Sequence, residues 1–143
     1  MIALDTNILI YAHRRQSPFH SEAKTAIEEA ANSKGGCGTP ITCLIEFFSI
    51  VTHPSSEGGP SSSEQAFKFI NALKESAGLS IWYPRDGYEN NLFQLAQDLS
   101  ISGVRIFDLQ IALMAWENGA TEIWTNDKNF GKIPGLRIHH PFG

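Results

Sequence analysis

Five aspartates occur in the 143 residues, and three of them stand where acids from distant parts of a chain can meet. Asp5 closes a short apolar run, Ile2-Ala3-Leu4. Asp127 follows Glu122-Ile123-Trp124-Thr125. Asp108 leads a helical pattern with Ile111, Ala112 and Ala115 three, four and seven residues on. These are core-type positions, so its carboxylate is expected to turn inward and to need a cation or donors. Glu46 joins them from a segment that is apolar nearly all round: Ile41, Cys43, Leu44, Ile45, Phe47, Phe48, Ile50 and Val51. A glutamate there either lies on a narrow exposed strip or is buried with a partner. Small side chains, Thr42, Cys43 and Ser49, sit three or four residues away and leave room around the carboxylate. Each Asp also has a plainer use, as a helix or turn cap. Gathered together, the four would not be stable alone. Two carboxylates about 5 Å apart repel by roughly 3 kcal/mol at an effective dielectric of about 20. The whole set would exceed the ~5–15 kcal/mol margin of a typical domain. Either some are protonated or a divalent cation sits among them. An all-oxygen ligand set with bound water suits Mg2+ or Mn2+.

The elements that must position these acids follow from periodicity and turn residues. Residues 2–5 read as a buried strand, and residues 8–12 begin a short helix after the Thr6-Asn7 turn. A second helix runs Phe19 to Asn32, with Ala23, Ala26, Ile27 and Ala30 on one face, and stops at Lys34-Gly35-Gly36. Thr39-Pro40 opens a third over 41–52, with the stripe Leu44, Phe47, Phe48 and Val51. The Gly/Ser/Pro-rich segment 55–63 reads as a flexible insertion. A helix from Ser63-Glu64 to Ala77, a strand Leu79–Tyr83 and a helix Tyr88–Leu99 follow. Then come a helix Asp108–Glu117, a strand 122–125 and a last strand over 136–138. Strands alternating with helices predict an α/β fold with a mostly parallel sheet. Sites in such sheets form outside the carboxyl ends of strands, which is where Asp5 and Asp127 stand.

Length suits one domain spanning residues 1–143. Apolar residues are 42% and charged residues 18%, so a core can form and a disordered chain is excluded. No apolar run approaches the roughly 18 residues that cross a bilayer. Met1-Ile2-Ala3-Leu4-Asp5 has no basic segment of the signal-peptide kind, so a cytoplasmic protein is expected. Cys37 and Cys43 have neither CxxC nor zinc spacing and read as structural thiols. Net charge is −4, which opposes binding to a polyanion. Setting aside the four site acids leaves 11 of 15, which balances the 11 Lys plus Arg, and a bound cation would reverse the sign of the pocket.

Taken in order, these motifs resemble the PIN-domain family. Leu4-Asp5-Thr6-Asn7-Ile8-Leu9 is similar to its opening, and Ile45-Glu46-Phe47 to its second acidic position. Phe107-Asp108-Leu109-Gln110-Ile111-Ala112, with Ala115 and Asn118-Gly119-Ala120, is similar to the third, and Trp124-Thr125-Asn126-Asp127-Lys128-Asn129-Phe130 to the fourth. The resemblance spans nearly the whole chain and is strongest to the VapC-type toxins of prokaryotic toxin–antitoxin pairs. It implies a three-layer α-β-α fold and a Mg2+-dependent (or Mn2+-dependent) endoribonuclease, usually a homodimer, silenced by a small antitoxin. It also implies that Asp5 and Asp108 hold the main metal, with Asp127 and Glu46 completing the shell. Thr6, Asn7, Thr125 and Asn126 are candidates to hydrogen-bond the carboxylates or the phosphate, or serve ordinary turns. Arg14, Arg15, Arg105, Lys128 and Lys132 are candidate RNA contacts by proximity in sequence, against solvated surface charge. Trp82 and Tyr83 are candidates for base stacking, against core or interface packing. His139-His140 reads as surface. An aspartyl phosphatase would need Asp rather than Asn at position 7, and a dinucleotide-binding domain would need GxGxxG after the first strand. The remaining alternatives are a non-catalytic PIN-like binding module and a housekeeping RNA-processing nuclease.

Overall fold

Ile2, Ala3 and Leu4 are all buried, and they divide between two cores: Ile2 and Leu4 face one, Ala3 the other. That alternation is the period-two pattern of a strand covered on both faces. The strand is β1 (Ile2–Leu4) in the computed structural model, which describes residues 1–143. It is followed by α1 (Thr6–His13), α2 (His20–Asn32), β2 (Cys37–Pro40), α3 (Ile41–Thr52) and α4 (Ser63–Ser76). Then come β3 (Ser80–Trp82), α5 (Tyr88–Asp98), α6 (Arg105–Glu117), β4 (Glu122–Trp124) and β5 (Arg137–His139). All five strands are parallel, in the order β3-β2-β1-β4-β5. One core packs side chains of α1 to α4 on Ile2, Leu4 and Trp124. The other packs α5 and α6 on Ala3, Trp82 and Ile123. The result is the three-layer α-β-α arrangement expected of the sequence. No helix is long and apolar enough to cross a membrane.

The sequence reading misses β2. Cys37-Gly38-Thr39-Pro40 has the composition of a turn, since Gly and Pro are depleted in strands. The strand forms because β1 and β3 pair with it on either side, and Trp82 of β3 lies across Gly38. A Cβ on Gly38 would come within 2.5 Å of the indole Cε2, so only glycine lets that ring close the core.

Two helices differ from expectation. The apolar composition of α3 suggests burial all round, yet it buries Cys43, Leu44, Phe47 and Val51 and exposes Ile45, Phe48 and Ile50. Phe48 therefore does not belong to the buried stripe. Helix α6 starts at Arg105, not Asp108, so Asp108 lies in its first turn without capping it.

The segment after α3 is not free. Arg14, at the end of α1, donates to the carbonyls of Val51 and Gly59 at 2.8 and 2.9 Å, and to the hydroxyls of Ser56 and Ser61. His13 bonds Ser61 as well, at 2.8 Å. Arg14 is thus engaged in holding residues 51–61.

Candidate active site

The strand order reverses between β1 and β4: β2 and β3 extend one way from β1, and β4 and β5 the other. Crevices open at such a reversal, outside the carboxyl ends of the two strands. Asp5 stands at the end of β1 and donates its N–H to the carbonyl of Trp124, 3.0 Å away on β4. It is 6% exposed. As the N-cap of α1, its Oδ1 accepts from Thr6 N at 2.8 Å. Its Oδ2 accepts from the Thr125 hydroxyl at 2.7 Å and from Asn7 Nδ2 at 3.4 Å.

Thr125 is the hub. Its hydroxyl donates to Asp5 and accepts from Asn7 Nδ2 at 3.1 Å and from Asp127 N at 3.0 Å. One donor and two lone pairs are all used. Asn7 Oδ1 accepts from Asn126 N at 3.0 Å, and Asp127 Oδ1 accepts from Asn129 N at 2.8 Å. Of the four residues read as supporting, Asn7, Thr125 and the main chain of Asn126 tie the β1 and β4 ends together, while Thr6 gives only its N–H to Asp5. Thr125 is fully buried. Thr125→Val keeps its shape but removes the short bond to Asp5 Oδ2 and the acceptor of the Asp127 N–H, and takes one acceptor from Asn7 Nδ2. We expect a loss of about 1–3 kcal/mol in urea unfolding; an unshifted midpoint would contradict the hub.

Three further links in this network carry no sequence motif. The Thr39 hydroxyl donates to the Leu4 carbonyl at 2.8 Å, fixing the end of β1 from β2. His140 Nδ1 donates to the Thr125 carbonyl at 2.9 Å, so His140 is half-buried rather than a surface residue, whereas His139 is exposed. The Cys43 thiol lies 3.9 Å from Asp5 Oδ1 and is buried. Recognising β2 as a strand would have pointed to Thr39; nothing local points to His140.

Electrostatics joins Asp108 and Glu46 to the pair at the strand ends. Burial raises the Asp5 carboxyl, and the charges of Glu46 and Asp127 raise it further, against its hydrogen bonds from Thr125 and Thr6. Burial also raises Asp108, with Asp127 and Asp5 adding to it and Arg105 opposing. Glu46 is exposed at the rim, yet partial desolvation and then Asp108 push its carboxyl up. The charges of Glu46 and Asp127 act on Asp5, those of Asp127 and Asp5 on Asp108, and that of Asp108 on Glu46, so the acids lie within repelling distance of one another. No three acidic, histidine or cysteine side chains are grouped closely enough to be direct ligands of a single ion as they stand. The Thr6 hydroxyl is buried beside Asp5 without a partner. Hard oxygen donors, unrelieved repulsion and an orphaned hydroxyl fit a cation that binds through one or two carboxylates and keeps its water, as Mg2+ does.

The basic candidates divide. Arg15 and Arg105 are exposed, and neither is in an ion pair. Lys128 donates to the carbonyl of Gly143. Trp82 is core, while Tyr83 is exposed.

The family model described as the PIN domain matches residues 2–136. The chain belongs to the PIN-domain family. Among PIN-domain relatives, the VapC ribonuclease Mb2897 of Mycobacterium bovis is 31% identical over 142 residues, covering 99% of this chain and 95% of that one. Among solved structures, VapBC2 of Rickettsia felis bound to a promoter DNA fragment aligns with a TM-score of 0.68 and 23% identity, over 97% of this chain and 98% of that one. Mycobacterium tuberculosis VapC20, described as a sarcin-ricin loop cleaving toxin, aligns at 0.66 with 14% identity, over 91% and 92%. At these identities the two structures speak for the PIN fold itself.

Proposed function

We propose that this PIN-domain chain is a divalent-metal-dependent endoribonuclease that hydrolyses RNA phosphodiester bonds, and that it is the toxin of a toxin–antitoxin pair. The observation that carries the reading is the single field of four carboxylates at the β1/β4 reversal. The VapC ribonuclease relative supports the RNA substrate, and the VapBC assembly supports an antitoxin partner.

Asp5 and Asp108 would hold the cation, with Asp127 and Glu46 completing its surroundings. When bound, Mg2+ or Mn2+ supplies a Lewis acid that acidifies water and offsets charge on the scissile phosphate. Thr125 and Thr6 N hold the Asp5 carboxylate in one orientation, so its geometry is set before substrate arrives. Asp127 Oδ1 is occupied by Asn129 N. Glu46, at the solvent edge with a raised carboxyl, is the better placed acid to take a proton from the attacking water. A homodimer belongs to the same reading. Ile45 and Phe48 beside Glu46, and Val104 and Phe107 beside Asp108, are apolar and exposed, as a surface covered by a second copy would be. Arg15, exposed and free of any ion pair, is a further RNA contact in this reading.

The test is direct. Purified chain, freed of any co-expressed antitoxin, is incubated with total RNA and with defined stem-loops in Mg2+, Mn2+ or EDTA. Cleavage in the metal lanes alone is expected. Intact RNA in every lane would overturn the proposal and leave a PIN-type binding module.

A further inference from the structure

Beside Asp108 the surface dips into a small hollow lined by Ile101, Arg105, Asp108, Leu109, Gly131 and Lys132. Two of its six residues are cations and one is a site acid. Arg105 lies close enough to Asp108 to oppose the rise of that carboxyl, yet the two form no ion pair. Neither Arg105 nor Lys132 is engaged by any carboxylate, and both are exposed. Only Lys68 and Arg137 of the eleven Lys and Arg are in ion pairs; what sets Arg105 and Lys132 apart is that both line one hollow with a site acid. In a protein of net charge −4, two unneutralised cations converging on one edge of an acidic field stand out.

We propose that Arg105 and Lys132 form a phosphate seat that binds the RNA backbone at the Asp108 edge of the site and does so without the divalent ion. The planar guanidinium of Arg105 presents two parallel N–H groups to non-bridging phosphate oxygens, and Lys132 adds a mobile point charge. Arg105 and Asp108 share the first turn of α6, three residues apart and on one face of the helix. A phosphate held by Arg105 is therefore held in fixed register to an acid of the cluster. Lys132 comes from the loop between β4 and β5, five residues beyond Asp127, so two separate elements line the seat. The seat solves a problem left by the four carboxylates, which repel the very polyanion they are to cut until a cation arrives. This inference rests on the ribonuclease reading for its substrate but not for its geometry.

The experiment measures binding rather than turnover. Anisotropy of a short fluorescent single-stranded RNA is followed in EDTA across a range of salt concentrations. Removing one cation that neutralises a phosphate lowers the slope of log K against log salt by about 0.7. Arg105→Ala and Lys132→Ala should each flatten the slope by about that amount, and the double variant by about 1.4. Arg105→Lys should restore the slope but not the full affinity, since it keeps charge and loses the fork. Arg137→Ala, which removes a cation paired elsewhere, should leave the slope unchanged. Asp5→Asn separates the two ideas: it should bind with undiminished slope and fail to cleave in Mg2+. A double variant with the wild-type slope, or a wild-type protein that binds no RNA in EDTA, overturns the seat. Wild-type binding with the expected slopes but no cleavage in any metal overturns the nuclease and leaves the seat standing.

Discussion

Asp5→Asn is expected to reduce RNA cleavage by at least about 100-fold while leaving the fold intact. The size follows from position. Changing a group that merely supports a metal ligand costs about 10–100-fold, and Asp5 is the carboxylate that Thr6, Asn7 and Thr125 are arranged to hold. The fold survives because asparagine caps helices as well as aspartate does. Its side-chain oxygen takes the bond from Thr6 N, while its amide stands where Oδ2 accepted from Thr125 and Asn7, so those bonds are given up in exchange for removing a buried charge. Burial and two neighbouring acids already make the charge at this position unfavourable. The metal-free variant should therefore melt close to wild type, the relieved charge offsetting the bonds lost from Thr125 and Asn7. Cleavage assays and thermal melts on the same preparation check both halves. A variant that cleaves at the wild-type rate removes Asp5 from the mechanism, and one that is unfolded shows that the cap outweighs the charge.

Mg2+ or Mn2+ should raise the melting temperature by about 5–10 °C at about 100 times its dissociation constant. A ligand at that excess contributes about 2.7 kcal/mol, and each kcal/mol moves a chain of roughly this size by about 2–4 °C. The pH dependence without metal has a definite sign. Asp5, Asp108 and Glu46 all have carboxyls raised above their ordinary values. Over the interval between the ordinary and raised values, the unfolded chain is ionised and the folded one still holds its protons. Metal-free stability should thus fall as pH climbs from the ordinary carboxylate range through the raised values. Saturating Mg2+ should abolish that fall, and Asp108→Asn should shrink both the fall and the metal-induced shift. Melting curves across pH, with and without Mg2+, read out all three. Identical curves with and without metal would remove the cation from the site.

Much of the architecture was legible because it is written in local pattern. The Ile2-Ala3-Leu4 strand, α3 from Ile41 and the Asp at the end of a strand are visible from spacing alone. The acids were nameable because carboxylates in apolar surroundings need a reason. What stayed hidden depends on distant partners. β2 is a strand because β1 and β3 pair with it, and Trp82, more than forty residues later, requires glycine beneath it. The start of α6 carries no capping side chain; the preceding Gly103 has φ 60°, and Val104 makes no cap bond, so the first visible signal was Asp108. Glu46 was read from an all-apolar helix, but the face that holds it is the exposed side of a helix only half covered by the core. Arg14 resembles any surface cation until the carbonyls it reaches, 37 and 45 residues on, are known.

Those carbonyls have a consequence for how the segment after α3 can change. Two of the four acceptors that Arg14 grips belong to the main chain, at Val51 and Gly59, and every residue type carries a carbonyl. The contour of that stretch is therefore held in part from outside it, by the Arg14 guanidinium together with His13. Exposed positions such as Ser55 and Glu57 should vary in a randomised library so long as Ser56, Ser61 and the positive-φ Gly58 and Gly59 are spared, whereas replacing Arg14 alone should loosen an otherwise unaltered stretch.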